Sequence, residues 1–391
     1  MSQVSFLPME AIGEQGSLDL SGTRERNDVM TGYTEFFDGD VVVAKITPCF
    51  ENGKGALVKG LLNGVGYGTT ELHVLTPGPR LHGPFLYYIT ASSLFRELGQ
   101  AEMTGSAGQK RVPEEFVRNY RVALPPLSQQ IAISDYLDRE MTRVDELIAA
   151  KQRLLCLIAE KQRATVSRAV TQGVNTDVSF RDSGVTWLGK IPAHWDMKRA
   201  KWLFTERDER STTGEETLLS LRMEVGLVPH NDVSEKAIPS EELIGYKKTS
   251  PREIVVNRMR AASGLVAVSP QEGLVSPDYA VFAAHESVEP HFYEQLFKTE
   301  LMQAVFRSAS RGMGTGSSGF LRLYSEDFLD LWLPVPPLAE QRGIVAHIAS
   351  EIAQLETLRR VAERTVALSR DRRGSVITAA VTGQMNLPGK A

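Results

Sequence analysis

Leu124-Pro125-Pro126-Leu127-Ser128-Gln129-Gln130 opens a run of about forty residues that contains neither Pro nor Gly. The Pro pair ends whatever precedes it, because a ring without an N–H cannot sit inside a helix. Ser128 offers a side-chain oxygen for an N-cap. Beyond it, positions 137, 141, 144, 148, 155, 158, 165 and 169 carry Leu, Met, Val, Ile, Leu, Ile, Thr and Ala. Steps of four and three make the heptad seam of a coiled coil, interrupted here by Lys151 and Gln162. A helix from Ser128 to Thr171 would be roughly 66 Å long at about 1.5 Å per residue. A helix of that length needs a partner helix to bury its stripe.

The partner lies in the same chain. A shift of 211 residues sets Pro125-Pro126-Leu127 on Pro336-Pro337-Leu338, Gln130 on Gln341, Leu147 on Leu358 and Ala169-Val170-Thr171 on Ala380-Val381-Thr382. No gap is needed, and 12 of the 47 positions from 125 to 171 are identical. The second seam runs through Ile348, Ile352, Leu355, Ala362, Val366, Val376 and Ala380. Two unrelated helices that each start at a Pro pair would not share this register. The expected helix-packing and partner positions are Gln130, Leu137, Val144, Ile148 and Leu155 on the first helix. On the second they are Gln341, Ile348, Leu355 and Val366.

A chain of 391 residues should hold more than one domain. Hydrophobic content of 42% and charged content of 24% are ordinary for a globular protein. There is no uncharged apolar run near the eighteen residues or so that a membrane span needs. The N-terminus lacks the basic and apolar segments of a signal peptide. Two cysteines, Cys49 and Cys156, supply neither a disulfide framework nor metal spacing, and a reducing cytoplasm is the expected location. The formal net charge of -4 does not advertise a nucleic-acid binder. If the chain binds DNA, its cations must be local, or a partner must supply much of the phosphate contact.

Outward from the helices, residues 1–123 read as a first globular unit. Ser5–Met9, Asp40–Ile46 and Glu71–Leu75 are strand candidates rich in apolar and β-branched residues. Asn52-Gly53-Lys54-Gly55 is a turn, and Phe85–Leu98 has helical apolar spacing. The Gly-containing loop 103–111 follows. Residues 124–173 are the first long helix, 174–181 a linker, 182–335 a second unit, 336–383 the second long helix and 384–391 a tail. The repeat continues more loosely in the second unit. Leu7 and Met9 match Leu221 and Met223, Asp40–Ile46 matches Glu253–Met259 with Arg258 at the place of Lys45, and Glu71 matches Asp278. A helix over about 291–308 and a second Gly/Ser loop, 311–322, complete it. The second unit has about 35 residues before its Leu221 strand, whereas six precede Leu7, so the first unit is expected to be shortened at its start.

At this point the chain resembles the specificity subunit of type I restriction–modification systems. The residues that carry the resemblance are Leu124-Pro125-Pro126-Leu127 with Gln130, Pro336-Pro337-Leu338-Ala339-Glu340-Gln341, and the segment from Asp182 to Trp195. Ala44-Lys45-Ile46-Thr47-Pro48-Cys49-Phe50-Glu51-Asn52-Gly53-Lys54 and the tail Ala380-Val381-Thr382-Gly383-Gln384 add to them. The resemblance covers nearly the whole chain. It implies an α+β fold of two target recognition domains separated by two long helices. The helices would pair as an antiparallel coiled coil with a pseudo-twofold internal repeat. It also implies a chain that reads a bipartite double-stranded DNA site without catalysis of its own. Two modification subunits would methylate adenine with S-adenosylmethionine, and restriction subunits would use ATP and Mg. This chain itself would bind no cofactor and no metal.

DNA recognition needs groups that reach base edges and cations that hold phosphates. In the first unit the candidates are Lys45, Asn52, Lys54, Gln109, Lys110 and Arg111. In the second they are Tyr246, Lys247, Arg258, Arg260, Arg311 and Arg322. The plain alternative for each is a solvated turn or surface charge. The competing functional reading is a DNA-reading enzyme with its own methyltransferase or nuclease activity. Against it, no G-x-x-x-x-G-K loop is present. The Pro-Pro-Leu segments lack the Asn and aromatic with which adenine methyltransferases hold a flipped base. The seven histidines show no paired metal spacing. A coiled-coil adaptor without DNA is a third reading.

Overall fold

The computed structural model describes residues 3–106, 108–236, 238–313 and 320–385. Most of the expected tail and the centre of the second Gly/Ser loop lie outside the described residues. The chain divides into two compact units, 1–154 with 361–391, and 155–360. Each unit therefore contains a globular part and half of each long helix.

In the first unit, strand Val41–Ala44 is buried on both faces. It pairs antiparallel with Gly55–Leu57 on one side and Leu72–Leu75 on the other. Because side chains alternate along a strand, Val42 and Ala44 enter one core with Leu7, Phe36 and Ala56. Val41 and Val43 enter another with Phe50, Leu86 and Phe95. A second sheet places strand Gln3–Leu7 between Thr23–Glu25 and Val65–Gly68. The expected single helix over 85–98 is two, Gly83–Ala91 and Ser93–Ala101. Ser92 makes the break: its backbone is extended and its hydroxyl accepts the Phe95 N–H at 3.3 Å, capping the second helix.

The second unit repeats this plan. Strand Ile254–Asn257 lies between Tyr279–Ala284 and Val266–Val268, and Phe204–Arg207 extends the sheet. Ile254 and Val256 face a core with Trp195, Phe204, Phe282 and Phe292. Val255 faces Leu219, Leu221 and Val281. Here too the expected helix over 291–308 is broken, into Pro290–Phe297 and Glu300–Ala309, with Thr299 capping Met302 N–H.

The long helices run Leu127–Gln172 and Leu338–Val381. Ser128 is inside the first turn, not the cap, since the helix already starts at Leu127. In the first unit Ile133, Leu137 and Met141 pack with Ile377, Ala380 and Val381 and with Phe85 and Ile89. Arg373 pairs with Asp145 there. In the second unit Val166, Ala169 and Val170 pack with Ile344, Ile348 and Ile352. The start of each helix thus meets the end of the other, an antiparallel pairing. Along the seam Ile148, Leu355 and Val366 are buried, and Val144 and Leu155 are half-buried.

Gln130 and Gln341 have a task that the heptad pattern does not announce. Both are fully buried. Gln130 Nε2 donates to the carbonyls of Arg80 (2.9 Å) and Pro125 (2.8 Å), and its Oε1 accepts the His82 N–H at 2.8 Å. Gln341 Nε2 donates to Ser287 (3.2 Å) and Pro336 (2.8 Å), and its Oε1 accepts the Glu289 N–H at 2.8 Å. Each glutamine ties the first turn of its long helix to the globular part that precedes it. The repeat offset is 211 for the glutamines and the prolines they hold, and 207 for Arg80 and His82 against Ser287 and Glu289. The four-residue difference falls in the Gly/Ser loop between them.

Candidate nucleic-acid interface

Strand Val41–Ala44 ends at Lys45, and two segments converge there. Lys45 N donates to Glu71 O (2.9 Å) and Val112 N donates to Lys45 O (2.8 Å). The neck of the 103–111 loop is closed by mutual bonds between Thr104 and Arg111. Arg111 reaches back from the neck. Its Nε and Nη2 donate to the two carboxylate oxygens of Glu71, each at 2.8 Å. This bidentate hydrogen bond chiefly holds the Glu71 carboxyl below its ordinary range; burial opposes it, and the Arg111 and Lys45 charges add smaller pulls downward. Lys45 is half-buried at the cleft that Arg111, His73 and Thr104 also line. Gln109 and Lys110 are exposed beside it.

The turn after Lys45 is held from beneath by Arg96. Its Nη1 donates to Phe50 O (3.0 Å) and its Nη2 to Gly53 O (3.3 Å), with the guanidinium 4.8 Å from the Phe50 ring centre. Burial pushes Arg96 down to about 10, which still leaves it cationic at neutral pH. Gly53 supplies the left-handed backbone (φ 81°) that the turn needs. Asn52 is exposed at its crest. Lys54, expected to face DNA, instead points inward and donates to Met9 O at 2.8 Å.

In the second unit the corresponding strand end is Arg258. Its guanidinium donates to the carbonyls of Asp278 (2.8 Å) and Pro277 (3.1 Å), so it braces a turn instead of projecting outward. Arg322 pairs with Asp278 at 3.2 Å, and its side chain is only 18% exposed. Lys247 is the clearest correction, since only 2% of its side chain is exposed. It lies 2.9 Å from Asp208 and 3.5 Å from Glu206. A buried ammonium needs such carboxylates, and they lie about forty residues away in sequence, where spacing cannot reveal them. Arg311 is more exposed but pairs with Asp327 (2.5 Å) and Glu326 (3.7 Å), 5.5 Å from the Tyr324 ring centre.

Two expected residues of this unit do come together. Tyr246 and Arg260 line one hollow with Arg222, Asn257 and Tyr279. Arg260 is exposed at its edge. Asn257 Oδ1 accepts the N–H groups of Met259 and Arg260, both at 3.1 Å, which fixes the turn that carries Arg260. Burial pushes the Tyr279 phenol up, so it remains a hydrogen-bond donor at neutral pH. Arg222, Asn257, Tyr279 and Arg96 escaped the sequence reading. Arg222 alone left a signal there, as a cation at the end of a strand.

The arrangement can present donors and cations from one surface in each unit, with aromatic edges in the second. Among the described residues no group of three His, Cys, Asp or Glu is placed to hold a metal ion. Among them, too, no helix is long and apolar enough to cross a membrane.

No family model matches the chain. It is 36% identical over 246 residues to the Type I restriction enzyme EcoAI specificity subunit of Escherichia coli, covering 62% of this chain and 39% of that one. It is 40% identical over 179 residues to the EcoEI specificity subunit of the same species, covering 45% and 30%. The matched region thus spans less than half the length of either relative. Among solved structures, the HsdS subunit from Thermoanaerobacter tengcongensis superposes with a TM-score of 0.62 at 17% identity, covering 98% of this chain and 91% of that one. A chain from a structure of the assembly and conformational transition of the type I R-M system gives 0.75 at 17%, covering 98% and 92%. In sequence and in fold, the chain is a relative of the type I restriction enzyme specificity subunits.

Proposed function

We propose that this chain is the DNA-reading subunit of a type I restriction–modification complex and carries no catalytic site. One observation supports this most directly. The chain is a duplication in which each globular part is clamped by a buried glutamine to the long helix that follows it, and the helices pair antiparallel. Each globular part reads one half of a split, asymmetric double-stranded DNA site, and the helices set the unspecified spacer. Two modification subunits bind S-adenosylmethionine and methylate adenine. Restriction subunits supply ATP- and Mg-dependent translocation and cleavage. The net charge of -4 fits a chain that binds DNA weakly alone and tightly with its modification partner.

The test is methylome sequencing of a host that expresses the chain with a type I modification subunit. A bipartite methyl-adenine motif is expected, and exchanging residues 182–335 for those of a relative should change one half of it only. A methylated motif without a gap, or changes in both halves, would overturn the reading. S-adenosylmethionine binding by the isolated chain would favour an enzyme in its own right.

A further inference from the structure

The two repeats have diverged in most of their surface, yet one charged arrangement occurs in both. In the first unit the residues are Lys45, Glu71 and Arg111, and in the second Arg258, Asp278 and Arg322. The main chain around them repeats as well: Val112 N donates to Lys45 O at 2.8 Å, and Leu323 N donates to Arg258 O at 2.9 Å. In each unit the residue at the base of the Gly/Ser loop is an arginine bound to an acid on the neighbouring strand or turn. The distances are 2.8 Å for Arg111 with Glu71 and 3.2 Å for Arg322 with Asp278. The loop necks close at Thr104 with Arg111 and at Arg311 with Arg322. Six residues separate the first pair and ten the second. The neck has therefore kept its arginine–acid pair while the loop it closes changed length.

Stability is a weak reason for that. The Arg111 and Glu71 side chains are 43% and 25% exposed, and Arg322, itself 18% exposed, meets an Asp278 that is 63% exposed. Pairs so open to water contribute about 0–1 kcal/mol. Their electrostatic effect is larger. An arginine bound to a carboxylate is neutralised and held in one plane, whereas a released arginine is a mobile cation that binds any phosphate. On a surface that must distinguish sequences, a mobile cation raises non-specific binding without improving discrimination.

We propose that Glu71 and Asp278 are positioning residues for DNA reading. Each fixes the neck arginine of its own unit and withholds that charge from indiscriminate phosphate contact. This rests on the DNA-reading function proposed above. It assigns the two acids to sharpening specificity rather than to binding strength.

The experiment uses the full chain in complex with its modification subunit, with Glu71→Gln, Asp278→Asn and the conservative pair Glu71→Asp and Asp278→Glu. Binding to a random-sequence duplex is measured against salt, and the methylated motif is sequenced. Glu71→Gln should steepen the slope of log K against log salt by about 0.9, one released cation's share. It should relax the half-site read by the first unit and leave the other half unchanged. Asp278→Asn should do the reverse. The ratio of specific to random affinity should fall about tenfold or more, on the order of one base pair's discrimination. The conservative variants should restore both readings, because the chain already uses Glu in one repeat and Asp in the other. An unchanged slope with an intact motif would overturn the proposal. So would equal loss at both half-sites with a lowered Tm, the mark of a merely structural pair. If Glu71→Gln does not fold, Arg111→Gln probes the same pair: the first half-site should relax without a steeper slope, and an unaffected half-site would overturn the proposal. A wild-type complex that shows no bipartite motif would refute the DNA-reading function itself, while the random-duplex slope would still report whether the acids mask the arginines.

Discussion

Replacing Gln341 by Ala strips three main-chain groups of their partner at once, two of them in buried hydrogen bonds. The Glu289 N–H loses its acceptor at 2.8 Å, and the carbonyls of Ser287 and Pro336 lose donors at 3.2 and 2.8 Å. Gln341 is fully buried. A buried polar group left without a partner costs about 1–3 kcal/mol. The carbonyls can recover part of this by accepting elsewhere and water can enter the vacated volume, so the expected loss is about 2–5 kcal/mol rather than the full sum. All four tryptophans, Trp187, Trp195, Trp202 and Trp332, belong to the unit that contains Gln341. Their fluorescence through a urea titration therefore reports that unit. Gln341→Ala should lower the midpoint with little change in slope. Hydrogen exchange at the Glu289 amide should accelerate. Exposed Gln152, replaced by Ala, is the control and should stay within about 0.5 kcal/mol. A Gln341→Ala shift no larger than the control's, with the Glu289 amide still protected, would show that the clamp contributes nothing measurable.

Leu137→Ala should cost the first unit about 2–5 kcal/mol, since a fully buried leucine leaves a cavity; Leu157→Ala, 61% exposed, should be near neutral, and denaturation followed by circular dichroism compares them. Two histidines should depend on pH with opposite sign. His291 is raised chiefly by its hydrogen bond with Glu294, so its contribution is complete below the unfolded value of about 6.5 and lost as pH rises through the raised one. His73 is lowered chiefly by burial, so its contribution holds above about 6.5 and is lost as pH falls through the lowered value. Ring resonances should therefore titrate in the order His73 then His291 from low pH, and the reverse order would refute the assignment.

The parts of the fold legible in the sequence were those with local signals. The seam from Leu137 to Ala169 and its copy from Ile348 to Ala380 need only helical periodicity. The strand cores Val41–Ala44 and Ile254–Asn257 are written in short β-branched runs. The breaks at Ser92 and Thr299 were legible in principle, because each is a capping residue inside an apolar run, but the continuous helical spacing on both sides masked them. The site was harder to read, because a cation's role depends on its partner. Lys54, Lys247, Arg258 and Arg322 look like Asn52, Lys110 or Arg260 until Met9, Asp208 and Asp278 are brought to them by the fold. The hollow around Arg260 draws on four separate strands and turns, and no spacing rule connects those.

The glutamine clamps have one further consequence. Among the described residues, every hydrogen-bond partner of the Gln130 and Gln341 side chains is a main-chain group: Arg80 O, His82 N and Pro125 O in one case, Ser287 O, Glu289 N and Pro336 O in the other. Main-chain groups are the same whatever side chains the chain carries. A joint of this kind is blind to composition and demands only that the backbone arrive in the right place. The residues at the held positions already show it, since arginine and histidine in one copy stand where serine and glutamate stand in the other. The globular parts are thereby free to accumulate almost any surface without loosening their seat on the helices.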